Sequence, residues 1–201
     1  MRGWPMAGTR GTGRTGADGA APHRTPEEAA GPAEPAGRAH ADVNVPPDVF
    51  RRVLGAHAAG VVVVTADPAE GPVGLTATSF TSVSLDPPLV SFYIDARSGS
   101  WPGVRDSRTF AVNLLHEHQR DVAARFAARG VDRFAAPTRW FRGPGGVPLL
   151  HGAVGHVRCL RHDVLAVGDH WLVVGRVVGA ETGDDGRPLL YHRSRYGRFE
   201  A

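Results

Sequence analysis

The sequence predicts a mainly β protein with peripheral helices, a small β-barrel rather than a stack of alternating βαβ units. Three observations carry the prediction. Short runs rich in β-branched and aromatic residues recur from Val61 to His192, tight-turn residues separate most of them, and only a few stretches show helical periodicity.

Order begins at Pro46-Pro47. Phe50, Val53, Leu54, His57 and Ala58 recur at helical spacing, so 47–58 reads as an amphipathic helix with proline in its first turn and Gly60 beyond its end. Val61 to Thr65 is a β-branched strand. Asp67 to Pro72 is turn chemistry, and Val73 to Ser79 is a second strand, which makes a hairpin. Phe80 to Leu85 continues extended, Asp86-Pro87-Pro88 interrupts it, and Leu89 to Ile94 is another strand. A loop over 95–100 leads to a short helix at 101–107 and a strand at 110–115. Val122, Ala123 and Phe126 mark a helix over 117–128. Residues 130–148 read as irregular, and the chain closes with strands near 153–165, 170–181 and 187–192, turning at Val167-Gly168-Asp169 and Asp184-Asp185-Gly186.

Length and composition limit what such a fold does. A chain of 201 residues builds one sizeable core. Residues 1–44 are dominated by Gly, Ala, Pro and Arg and are expected to be a disordered tail, because they cannot bury enough surface to offset chain entropy; residues 45–201 are the expected domain. Gly11 to Gly16 matches the GxGxxG dinucleotide pattern, but with no strand before it and no helix after it the match is read as chance. The net charge of +3 comes from arginines scattered among carboxylates, which argues against a nucleic-acid binder. No apolar run reaches membrane-spanning length and no signal peptide is visible. Cys159, the one cysteine, rules out an internal disulfide, and a cytoplasmic location is expected.

Two segments carry candidate chemistry. From Gly74 to Pro88 small hydroxyl residues crowd an extended stretch. Alternation puts Thr76 and Thr78 on one face and Ala77 and Ser79 on the other, and small side chains let a planar ligand approach the backbone. The same residues also suit an ordinary Thr/Ser-rich strand. In Arg97-Ser98-Gly99-Ser100-Trp101-Pro102, hydroxyls, an arginine and a helix start could hold a phosphate, or Ser100 could simply cap the helix. His116 and His118 flank Glu117, but neighbours two apart do not share a helix face and no third ligand has suitable spacing, so no metal is expected. Cys159 lies inside a strand and reads as a core residue.

The runs Phe50 to Gly55, Gly60 to Thr65, Gly74 to Leu89, Phe110 to Leu115, Gly168-Asp169-His170, Gly175-Arg176-Val177 and Pro188 to Gly197, in this order, resemble the flavin reductase family. The resemblance runs from about Val45 to Phe199 and implies the FMN-binding split β-barrel fold. It implies an NAD(P)H:flavin oxidoreductase, the reductase component of a two-component flavin monooxygenase, with FMN, or FAD, as the flavin and NADH or NADPH as hydride donor. A homodimer is also implied. The alternative is an FMN-binding split barrel that does not turn over NAD(P)H.

By the same resemblance, Gly74, Thr76, Ala77, Thr78 and Ser79 border the flavin ring, with Ser82 and Ser84 just beyond. Arg97, Ser98, Ser100 and Trp101 match the phosphate-binding loop, Tyr196 closes over the site, and His170 faces the nicotinamide as the catalytic residue. Its expected task is to position NAD(P)H rather than to act as an acid, since hydride transfer is the cofactors' own chemistry.

Overall fold

The computed structural model describes residues 45–200; the tail and its GxGxxG stretch lie outside the described residues. The elements in chain order are α1 (Pro47–Leu54), β1 (Ala59–Gly60), β2 (Val62–Ala66), β3 (Val73–Ala77), β4 (Thr81–Leu85), β5 (Pro88–Asp95), α2 (Trp101–Asp106), β6 (Thr109–Leu114), α3 (Arg120–Ala127), β7 (Trp140–Arg142), β8 (Pro148–Leu150), β9 (Gly155–Val167), β10 (His170–Thr182), β11 (Leu189–His192) and β12 (Arg195–Arg198).

Seven strands form one antiparallel sheet in the order β3-β2-β6-β9-β10-β5-β4. The strands at its two ends, β3 and β4, are consecutive in sequence yet do not pair with each other, so the barrel is split where they meet. Alternate residues of β2, β5 and β6 supply the interior: Val62, Val64, Phe92, Ile94, Phe110 and Val112 are buried together. The opposite face of β2 buries Val61 and Val63 against Ala123 and Phe126 of α3, with Leu150 and Leu189. Because β2 is covered on both faces, its three valines, Val62 to Val64, and Val61 just before it show no polar alternation.

Several local expectations shift for physical reasons. The first helix ends at Leu54, not 58: the Gly55 N–H makes the last helical bond onto Arg51, and the N–H groups of Ala56 and His57 then close tighter turns onto Val53 and Leu54. Its apolar stripe of Phe50, Val53 and Leu54 is exposed rather than part of the core. The third helix starts at Arg120, since Gln119 folds back to accept the His116 N–H at 3.0 Å and so holds 116–119 as a turn. The segment read as irregular contains the β7–β8 hairpin. β12 pairs with β11 around a turn of Arg193 (φ 47°) and Ser194 (φ 61°), left-handed residues that carry none of the Gly or Asn marking such turns. Gly168, at φ 60°, supplies that conformation in the β9–β10 turn, where glycine was the signal. Cys159 is buried in β9 as expected.

Candidate functional site

A cleft of about 390 Å³ opens at the split. One wall is the end of β3 and its continuation, Leu75 to Ser79; the other is Tyr93, Ile94 and Asp95 of β5, with Ser98 and Gly99 from the following loop. α3 and the residues after it add Phe126, Ala127, Arg129 and Arg133, and His170 from the start of β10 completes the lining. The volume falls in the range of small-molecule sites.

The split explains why this place binds rather than packs. β4 pairs with β5 only as far as Thr81 opposite Ser91, so β5 from Phe92 onward has no strand on that side. β3 pairs with β2 and has no strand outside it among the described residues. The Gly74 carbonyl points to that outer side, where it accepts the Ser100 hydroxyl at 2.8 Å and Arg133 Nη1 at 2.7 Å. By strand alternation, the backbone groups of Thr76 point the same way. Two unpaired sheet edges thus face each other across the cleft and offer donors and acceptors to a flat heterocycle.

The predicted residues divide. Thr76, Ala77, Thr78, Ser79, Ser98 and His170 line the cleft. The Thr76 hydroxyl donates to the Ala123 carbonyl at 2.7 Å, which ties β3 to α3. Gly74 lies behind the wall: a Cβ there would sit 2.7 Å from the Phe126 ring, so glycine is what lets α3 pack so closely. Ser82 and Ser84 lie on β4, away from the lining. Ser100 is 2% exposed, its hydroxyl held by Gly74 and Arg133. Trp101 is buried and stacks on Trp171, centroids 5.0 Å apart and planes 15° apart, which fastens the start of α2 to the residue after His170. Arg97 is outside the lining and bound by Asp95. Tyr196 packs edge-to-face on Tyr191 and borders a separate depression with Glu117, His118 and Arg120.

His170 stands directly opposite Asp95 across the β10–β5 ladder. Its Nδ1 lies 2.6 Å from Asp169 Oδ1, and Nε2 has no hydrogen bond among the described residues. The hydrogen bond from His170 holds the Asp169 carboxyl below the usual range, and Arg97 holds that of Asp95 down at about 2.

Sequence reasoning missed Tyr93, Asp95, Phe126, Arg129 and Arg133 as lining residues. The two arginines follow α3 in a stretch without periodicity, and only the folding of that stretch back onto Ser100 brings them to the cleft. A second depression of about 390 Å³, beside Gln119 and His151, contains none of the predicted residues. His116, Glu117 and His118 do come together, their ligand atoms within 4.8 Å. However, His116 Nδ1 already accepts the His118 N–H at 3.1 Å and Nε2 is pressed against Gly186. No helix among the described residues is long and apolar enough to cross a membrane.

Residues 54–200 match the flavin reductase like domain. An NADH:FMN oxidoreductase of Rhodococcus erythropolis is 46% identical over 153 residues, 74% of this chain and 80% of that protein. The reductase subunit HsaB of a flavin-dependent monooxygenase from Rhodococcus jostii is 39% identical over 156 residues, covering 78% and 80%. Among solved structures, an NADH:FAD oxidoreductase of Streptomyces globisporus in complex with NAD and FAD fragments is 37% identical with a TM-score of 0.72, covering 76% of this chain and 92% of that one. A split barrel with this cleft and these relatives defines the class, and the chain belongs to the flavin reductase family.

Proposed function

We propose that this NADH-dependent flavin reductase binds its flavin, FMN, in the cleft between β3 and β5 and hands reduced flavin to a separate monooxygenase. The reading rests on one juxtaposition: Thr76 to Ser79 and His170, far apart in sequence, line opposite parts of one slot. FMN over FAD is favoured by the NADH:FMN oxidoreductases at 46% identity. A partner monooxygenase is favoured by relatives that are reductase subunits of such enzymes.

The chemistry a bound flavin supplies is acceptance of a hydride from reduced nicotinamide. The chain contributes binding and orientation. Backbone groups on the open edges of β3 and β5 meet the polar rim of the ring. Ser98 and Arg129 receive the phosphate; Arg129 is the lining arginine with no ion pair or hydrogen bond among the described residues. Asp169 fixes the His170 imidazole through Nδ1 and turns Nε2 toward the nicotinamide. Proximity and alignment are what such a site adds to the rate.

The same reading includes a homodimer. α1 buries no residue, and Phe50, Val53, Leu54, Val83 and Leu85 are exposed, Leu85 by 88%. Exposed apolar surface on this scale marks association. Light scattering on the purified protein tests the dimer.

The deciding experiment is anaerobic mixing with NADH in the presence of FMN. Bleaching of the flavin band, with NADH oxidised in proportion, is expected, and FMN with NADH should give the highest kcat/KM among the four pairings of FMN or FAD with NADH or NADPH. Absence of NADH oxidation with either flavin would sink the reading.

A further inference from the structure

The cleft is bridged at both ends by serine hydroxyls. At one end the Ser79 hydroxyl accepts the Tyr93 N–H at 2.9 Å. At the other the Ser100 hydroxyl donates to the Gly74 carbonyl at 2.8 Å, and Arg133 braces both groups. These contacts join Gly74 to Ser100 and Ser79 to Tyr93, so the two walls run antiparallel, like a ladder with its end rungs in place and its middle rungs missing. The lining residues Leu75 to Thr78 on one wall, and Ile94, Asp95, Ser98 and Gly99 on the other, fall between the rungs. Four residues, five steps of chain, separate the rungs on the β3 side, at most about 17 Å at the usual rise.

A gap between two strand edges is unstable by nature, because unpaired edges either zip together or splay apart. Here neither closure nor splaying needs to be resisted by the ligand, since a side chain spans the gap at each end. A serine hydroxyl inserted between backbone groups also keeps them farther apart than a direct ladder bond would.

We propose that Ser79 and Ser100 are positioning residues, latches that set the width of the split, and that neither hydroxyl binds the flavin itself. The proposal rests on the cleft being the flavin site. It changes what the two serines do there: the Ser100 hydroxyl is engaged by Gly74 and Arg133, the Ser79 hydroxyl accepts the Tyr93 N–H and faces the Tyr93 carbonyl at 3.5 Å, and their effect on the flavin is carried by the separation of the walls.

Amide hydrogen exchange and flavin binding in the intact protein test this together, with riboflavin and FMN as probes. In Ser79→Ala the Tyr93 amide should exchange at least tenfold faster. FMN and riboflavin should both bind about tenfold more weakly, and Ser79→Thr should restore both properties. Ser100→Ala should weaken FMN and riboflavin by the same factor, because a latch acts on the ring slot and not on the phosphate. Selective loss of FMN in Ser100→Ala would make Ser100 a phosphate ligand and overturn its role as a latch. For Ser79, faster exchange without loss of affinity, or loss of affinity without faster exchange, would overturn the proposal. Ser79 is half-buried and tolerates alanine even if Ser100→Ala fails to fold. Failure of the unaltered protein to bind either flavin would instead remove the flavin site.

Discussion

Asp95 grips Arg97 by backbone and side chain together: Oδ1 accepts the Arg97 N–H at 2.7 Å and Nε at 3.2 Å, while Oδ2 accepts Nη2 at 3.1 Å. The guanidinium that the loop sequence offers to a phosphate is thereby held against the loop's own carboxylate. Arg129 should take its place. Arg129→Ala is expected to weaken FMN about tenfold, as loss of a charge-assisted hydrogen bond does, and to leave riboflavin nearly unchanged. Arg97→Ala should affect the two flavins alike and modestly. Titrations of both variants with both flavins check this, and equal loss of FMN and riboflavin in Arg129→Ala would refute it.

The Asp95–Arg97 grip also sets a pH dependence. Arg97 holds the Asp95 carboxyl at about 2 in the folded protein, against roughly 3.9 for an unperturbed aspartate. A depressed folded pKa means the contribution to stability is complete above the unfolded value and is lost as pH falls toward the folded one. The loop from Asp95 to Ser100 should therefore be unaffected between pH 5 and 8 and loosen only below about pH 4. An NMR titration of the Asp95 carboxyl checks it; a midpoint near 4 would show that the grip is absent in solution.

His170 should matter for the donor and not for the flavin. His170→Ala is expected to slow flavin reduction at fixed NADH roughly fivefold, the scale of one net hydrogen bond, while FMN affinity holds. Asp169→Ala should give a smaller loss in the same direction, since it removes only the group that orients the ring. Stopped-flow reduction rates separate the two. Unchanged rates in His170→Ala would remove it from the mechanism.

How far the sequence was legible follows from where the information lies. Strand-forming runs and glycine-marked turns announced most of the sheet, and the hydroxyl-rich stretch announced one wall of the cleft. The opposite wall was hidden because Tyr93 and Asp95 are ordinary residues of an apolar strand; what makes them site residues is that β4 stops pairing at Ser91. Arg129 and Arg133 were hidden for a similar reason. The family resemblance assigns Ser100 and Trp101 to the phosphate loop; what residue type does not show is their burial, Ser100 braced by Gly74 and Arg133 and Trp101 stacked on Trp171. Residue type is local and was readable; which side of a wall a residue occupies is a tertiary property.

Cys159 should be chemically silent in the folded protein. It is 1% exposed, and burial pushes its thiol up to about 12, so the reactive thiolate is scarce at any working pH. Iodoacetamide at pH 8 is expected to label it only after denaturation. Rapid labelling of the native protein would show that β9 opens locally.

Asn113 carries the largest stability prediction. It is fully buried in β6, and its amide reaches two other strands, β2 and β8, at once. Nδ2 donates to the Val63 carbonyl at 3.0 Å and to Thr65 Oγ1 at 3.1 Å, while Oδ1 accepts the Leu150 N–H at 2.8 Å. Thr65 in turn donates to the Pro148 carbonyl at 2.6 Å. This network fastens β8 to the back of β2 and β6, the strands on which β3 and the flavin wall are hung. Asn113→Ala strands the Leu150 N–H and opens a cavity beside it, so it should cost about 2–4 kcal/mol. Thr65→Val, which keeps the shape and loses the donor to Pro148 and the acceptor for Asn113, should cost about 1–2 kcal/mol. Because the two residues share one hydrogen bond, the double variant should cost less than the sum of the single ones. Urea denaturation of the three variants measures this, and additive losses would show that the bond between Asn113 and Thr65 contributes nothing.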